Sequence, residues 1–296
     1  MKKANKEGST QKMKKRSMYV EVCRNFRRNK GAMSGLVILF LIVALAIIAQ
    51  IIYDYNTDIV NQNIPERLLH PSSEHWFGTD QYGRDIFARI LYGARYSLIV
   101  GISSVVVSVI IGGVLGLIAG YYGGITENVI LRFCEIFVGI PTVLLGIAIM
   151  NAFGQSTVAL IIAIGLVYVP MFCRTTRAAV LPVRDQEFIE AAKANGVSDA
   201  KIILTHILPN CLSPVIVQCT MGVANGIITA STLSFLGMGV PQPAPEWGAM
   251  LSSGRDFIRD YSYMTMFPGL AIMITVLSLN LVGDGLRDAL DPKLKR

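Results

Sequence analysis

Five stretches of this chain contain no Asp, Glu, Lys or Arg: Gly31–Tyr53, Tyr96–Thr126, Ile136–Cys173, Ile202–Pro245 and Tyr261–Gly283. They are too long for β-strands or ordinary core helices, and a helix needs about 20 apolar residues to cross a bilayer. Composition agrees, since 52% of the 296 residues are hydrophobic and 16% are charged, against about 25% charged in soluble domains. The pattern predicts an all-α polytopic membrane protein with about six transmembrane helices. Spans are expected near 36–53, 97–119, 131–152, 156–174, 214–236 and 264–283. The run from Ile136 to Cys173 holds two of them, parted by the polar, glycine-containing turn Asn151–Ser156.

Six spans return both ends to one side, and the basic residues say which. With the N-terminus inside, twenty-one Lys and Arg fall in cytoplasmic segments and six outside, so both termini are expected in the cytoplasm. Eleven of these basic residues precede residue 31, against two acids, Glu7 and Glu21. Such a tail suits anionic lipid. No aromatic run is interleaved with the charges as nucleic-acid stacking would require, so the net charge of +7 does not predict a nucleic-acid partner. Leu36–Tyr53 follows a basic region and contains Ala44-Leu45-Ala46, which raises a cleaved signal peptide; the mainly apolar residues that follow favour an uncleaved anchor.

Other residues read as structural. Cys23, Cys134, Cys173, Cys211 and Cys219 form no CxxC pair, and the three histidines are scattered, so neither disulfides nor a metal site is expected. Gly112, Gly116 and Gly120 share one helix face, and Gly222 with Gly226 repeats the spacing, which predicts close helix crossings. Pro141 and Pro170 fall within spans and are expected to kink them. Arg132 with Glu135, and Asp284 with Arg287, are expected to form local pairs near span ends rather than an ion path.

The most informative connection is 181–210, LPVRDQEFIEAAKANGVSDAKIILTHILPN. Its first half is rich in helix formers, Gly196 suits the left-handed position that ends a helix, and Ser198 can cap a second helix running to Pro209. Phe188, Ile189, Ala191 and Ala192 would offer a shallow apolar surface beside the single charge of Glu190. Glu190-Ala191-Ala192, Gly196 and Leu208-Pro209 resemble the EAA motif of ABC importer permeases, EAA-x3-G-x9-I-x-L-P. His206 stands where the general motif has Ile, a departure common in the peptide and nickel branch.

Two further stretches resemble that branch. The first, His75 to Asp85, reads HWFGTDQYGRD and is followed by Arg89 and Gly93-Ala94-Arg95; Phe77, Gly78, Thr79, Asp80, Gly83, Arg84, Asp85, Arg89, Gly93 and Arg95 match its signature. Read alone, this is a compact outer loop whose glycines make turns and whose Asp80, Arg84, Asp85 and Arg89 can pair. The second, Ser234 to Leu251, is rich in Pro and Gly and contains Trp247, so it is expected to be an irregular outer segment that partly re-enters the interface. The ending Asn280 to Pro292 extends the resemblance to the C-terminus.

The resemblance implies an ABC type I importer permease fold: a basic tail 1–35, a first transmembrane helix 36–53, an extracytoplasmic loop 54–95, a permease core 96–285 including the coupling loop 181–210, and a cytoplasmic tail 286–296. It implies a homologous second permease, two ATP-binding subunits, an extracytoplasmic solute-binding protein, and peptides as cargo, with nickel chelates or glutathione as alternatives. The chain has no GxxxxGK[ST] loop, so ATP and Mg are expected on partner subunits, and no cofactor or catalytic residue is expected here. A secondary transporter would show paired intramembrane acids or matching broken helices. A membrane enzyme would need a nucleophile with its base, and Gly154-Gln155-Ser156 has no histidine in an apolar span to serve it.

Overall fold

The computed structural model describes residues 18–290. Helix α1 (Met18–Arg28) is followed at once by α2 (Lys30–Ile52), and the junction residue Asn29 caps α2 by accepting the Ala32 N–H at 3.1 Å. A loop with a π turn at Tyr55–Val60 leads to α3 (Ile86–Tyr122), and α4 (Gly124–Val138), α5 (Thr142–Phe153) and α6 (Thr157–Arg184) follow through short turns. The short α7 (Glu187–Ala194) and α8 (Asp199–Ile202) open a π turn at Ile203–Ile207 that continues into α9 (Leu208–Phe235). An irregular segment, α10 (Trp247–Gly254) and α11 (Tyr263–Leu290) complete the described chain.

Five of these helical stretches are long and apolar enough to cross a membrane, or six if the bent pair α4–α5 counts as one span. Much of the outward surface is apolar, as lipid or a membrane partner requires: Ile51 is 80% and Ile125 82% exposed. The first span starts at Lys30, six residues before the expected boundary of 36, because an N-cap and a helix-compatible turn precede the apolar run. At the other end α11 continues past residue 285 to Leu290. The remainder of the basic tail, and the Asp291-Pro292 end of the C-terminal resemblance, lie outside the described residues.

Helix α3 is the centre of the bundle and packs along α6, α9, α2 and α4. The glycine spacing explains the tightest crossing. A Cβ at Gly112 would sit 2.5 Å from the Val169 carbonyl oxygen, one at Gly116 2.5 Å from that of Cys173, and one at Gly120 2.7 Å from Val180 Cβ. Backbone therefore meets backbone at Gly112 and Gly116, and Gly120 meets the Val180 side chain, in a crossing where dispersion contact drives helix association in lipid. Gly226 lies against Gly101 of α3 in the same manner, and Gly222 against Phe172 and Val105.

Three expectations are corrected. The span 131–152 is not one kinked helix: α4 and α5 meet at 91° across Gly139–Pro141. Proline disfavours helical geometry in the residue before it, and Gly139 adds a weak position two residues earlier; Pro170, without such a neighbour, stays inside a continuous α6. The second helix of the 181–210 connection does not stop at Pro209 but runs on to Phe235. Pro209 can donate no N–H to the preceding turn, and the mismatch is absorbed by a π turn in which Leu208 N–H bonds Ile203 O. Finally, Arg132 and Glu135 pair at 2.9 Å, but Asp284 and Arg287 do not; nearby Asp288 instead accepts from Asn29 at 3.2 Å.

Candidate functional site

The connection between α6 and α9 forms a closed helical hairpin at one end of the bundle. Gly196 has φ +73°, its N–H bonds Lys193 O at 2.9 Å, and the Val197 N–H bonds Ala192 O at 3.1 Å. That double pattern is a Schellman turn, which satisfies carbonyls at the end of α7. Ser198 takes the N-cap position of α8 but makes no side-chain cap bond, contrary to expectation. Ile189, Ile202 and Ile207 are fully buried and join Leu117, Tyr121, Val180 and Cys211 in one apolar cluster, with Ala192, Val197 and Leu208 packed against it.

This packing sorts the motif residues. Phe188, Glu190 and Ala191 face outward, Phe188 with 45% of its surface exposed. Ile189 and Ala192, expected on that surface, point into the cluster instead and hold the turn down. Pro209 is exposed one turn beyond, and the His206 ring lies 6.5 Å from that of Phe188, so the position that departs from the general motif borders the same surface. An exposed aromatic beside a carboxylate on a rigid, internally satisfied turn is suited to a protein partner, because little order is lost on contact.

At the opposite end, the loop before α3 is knitted by its own polar atoms. Asp80 accepts from the Tyr82 and Arg84 N–H groups and from Arg84 Nε at 2.7 Å. Arg89 lies 3.9 Å from the same carboxylate and donates to Ile59 O and Pro243 O. All three charged side chains are buried, where desolvation demands such partners. Asp85 does not join them: it caps α3 through the Ala88 N–H and meets His75 Nδ1 at 2.8 Å. Thr79 bridges to Glu66 O and Leu69 N–H, Gly78 and Gly83 both have positive φ, and Phe77 stacks on Phe267 of α11 with centroids 3.9 Å apart. Gly93 lies directly against the Pro245 carbonyl, and Arg95 donates to Gln50 and Tyr96. The signature residues thus join the loop to α2, α3, α11 and the 236–246 segment.

That segment leads to a buried anchor. Trp247 is 2% exposed and donates its indole N–H to Ile90 O at 3.0 Å, so it sits inside the protein rather than at the interface. Glu246, fully buried, caps α10 by accepting the Gly248 and Ala249 N–H groups at 2.9 and 2.8 Å. Sequence reasoning passed over Glu246. It also passed over Tyr263, which donates to Leu69 O at 2.9 Å, and over Tyr121, which meets Asp199; each depends on a partner far away in the chain, and no local pattern marks it.

The architecture is that of the membrane half of an ATP-driven importer. A chain of the inward-facing MetNI methionine ABC transporter superposes with a TM-score of 0.56 at 18% identity, over 69% of this chain and 97% of that one, which establishes the shared fold. A family model described as binding-protein-dependent transport system inner membrane component matches residues 112–296, and one for the N-terminal TM domain of oligopeptide transport permease C matches 17–71. The chain belongs to this family of ABC importer permeases. It is similar to the dipeptide transport system permease protein of Alkalihalophilus pseudofirmus, 47% identical over 94% of this chain and 91% of that protein. It also resembles the glutathione transport system permease protein of Pectobacterium atrosepticum, 42% identical over 95% and 93%.

Proposed function

We propose that this chain forms half of the translocation pathway of a peptide importer and receives the work of ATP hydrolysis through the turn at Gly196. The observation that carries this reading is the outward Phe188–Glu190 surface on a turn braced from beneath by Ile189, Ile202 and Ile207. Basic residues gather at the same end, with Arg174, Arg177, Arg184, Lys193 and Lys201 in or beside the hairpin, so this end faces the cytoplasm and both termini lie there. The partners are two ATP-binding subunits at the two coupling turns of a paired permease, and an extracytoplasmic receptor at the Asp80–Arg89 end. Closure of the ATPases draws the turns together and opens the pathway outward; hydrolysis resets it.

Relatives that carry dipeptides support a small-peptide cargo. Glutathione, itself a short peptide, is the second reading, supported by relatives of nearly equal identity. The test is purification of the tagged chain in mild detergent, followed by ATPase and uptake assays in liposomes with labelled dialanine and glutathione. Co-purifying ATPases whose hydrolysis is uncoupled by Glu190→Ala or Gly196→Pro are expected. Uptake by the chain alone, without ATP, would show a secondary transporter instead.

A further inference from the structure

Helix α3 runs unbroken for 37 residues from the loop at Asp85 to Tyr121 beside the hairpin. At about 1.5 Å per residue such a rod exceeds the full thickness of a bilayer, so its two ends reach the two functional loops. At the Asp85 end Arg89 ties it to Ile59 O and Pro243 O. At the other end Tyr121, 6% exposed, donates its hydroxyl to Asp199 Oδ1 at 2.6 Å while Lys193 Nζ lies 5.0 Å from the centre of its ring. Lys193 belongs to the last turn of α7 and Asp199 to the first of α8, on either side of Gly196. One side chain therefore grips both arms of the hairpin.

The chemistry is specific to tyrosine. Neither Lys193 nor Asp199 forms an ion pair among the described residues. The phenol answers both charges, with its hydroxyl for the carboxylate and its ring face for the ammonium. Phenylalanine would keep the packing against Leu117 and Val180 and lose only the carboxylate bond.

We propose that Tyr121 is a positioning residue that makes the hairpin and α3 move as one body, so that displacement at Phe188 and Glu190 reaches the Asp80–Arg89 loop through α3. This inference rests on the coupling role of the hairpin and goes beyond the EAA motif, which includes none of Tyr121, Lys193 and Asp199.

The test uses the whole importer, with its partner permease, ATPases and receptor, in liposomes, and compares Tyr121→Phe, Asp199→Asn and the double variant with wild type. Assembly is read by co-purification, hydrolysis by phosphate release, and uptake with labelled dialanine and glutathione. Tyr121→Phe is expected to assemble and hydrolyse ATP but to move about tenfold less probe per ATP, the lower range for a hydrogen bond to a charged group. The double variant should be no worse than Tyr121→Phe, because both act on the one Tyr121–Asp199 contact. Wild-type uptake per ATP in Tyr121→Phe overturns the proposal, as does a loss of uptake that only follows loss of assembled complex. Glu190→Ala separates the two levels. If it uncouples hydrolysis while Tyr121→Phe does not, only the clamp fails; if neither variant affects assembly, hydrolysis or uptake, the coupling role of the hairpin fails with it.

Discussion

Gly196→Ala separates backbone strain from every other effect of substitution at the hairpin. The residue has φ +73°, and a Cβ built there meets no atom within 4 Å, so alanine adds no clash and removes no contact. What remains is the penalty for an L-residue in the left-handed region, about 1–2 kcal/mol, or about 5–30-fold in the open-to-closed ratio of the turn. The Val197 N–H bonds Ala192 O only while the turn is closed, and its hydrogen exchange therefore reports opening, provided reclosing outpaces exchange. Protection at Val197 is expected to fall by about 5–30-fold in Gly196→Ala, with amides in the middle of α3 unchanged. Asparagine tolerates the left-handed region better, so Gly196→Asn should lie between alanine and wild type. Unchanged protection in Gly196→Ala, or equal losses in Ala and Asn, would refute the strain argument.

The α3–α6 crossing predicts a contrast one helix turn wide. Gly116→Ala places a Cβ 2.5 Å from Cys173 O and should lower the detergent unfolding temperature by the equivalent of about 1–3 kcal/mol, whereas Gly113→Ala, whose Cβ meets only Thr176 Oγ1 at 4.0 Å, should be nearly neutral. Trp247→Phe removes the indole N–H bond to Ile90 O, a carbonyl inside α3, and should cost about 0.5–1.5 kcal/mol by the same measurement. In the loop after α2, the Thr57 and then the Asn56 N–H groups hold the Asp54 carboxyl below its ordinary value of 3.8. A lowered folded-state value stabilises the turn above the ordinary one, and this contribution is lost as pH falls through the folded value. Carboxyl-carbon NMR should place the Asp54 midpoint under 3.8, and a midpoint at or above it would count against the capping geometry.

Much of the bundle was legible in the residues because its causes are local. A charge-free run long enough for lipid marks a span wherever it occurs, and the spans at α2, α3, α6, α9 and α11 follow from it. Glycines four residues apart share a face whatever they meet, and Gly196 before a cap residue marks a turn that backbone sterics alone require. The EAA pattern likewise located the hairpin, but not its faces: Ile189 and Ala192 turned inward because the cluster beneath is built by Leu117, Val180 and Ile207 from three other helical segments.

What only the tertiary structure decided was the partner of those buried polar groups that bond far along the chain. Tyr121 finds Asp199 across 78 residues, and Arg89 joins carbonyls 30 and 154 residues away. Nothing beside Tyr121 or Arg89 in the chain names these partners. The 91° turn between α4 and α5 belongs with them, since proline sits within unbroken helices in α6, α9 and α11 and local chemistry only permits the break. Burial strongly favours a partner for such groups, and the choice of partner is made by whichever backbone the packed helices bring within reach.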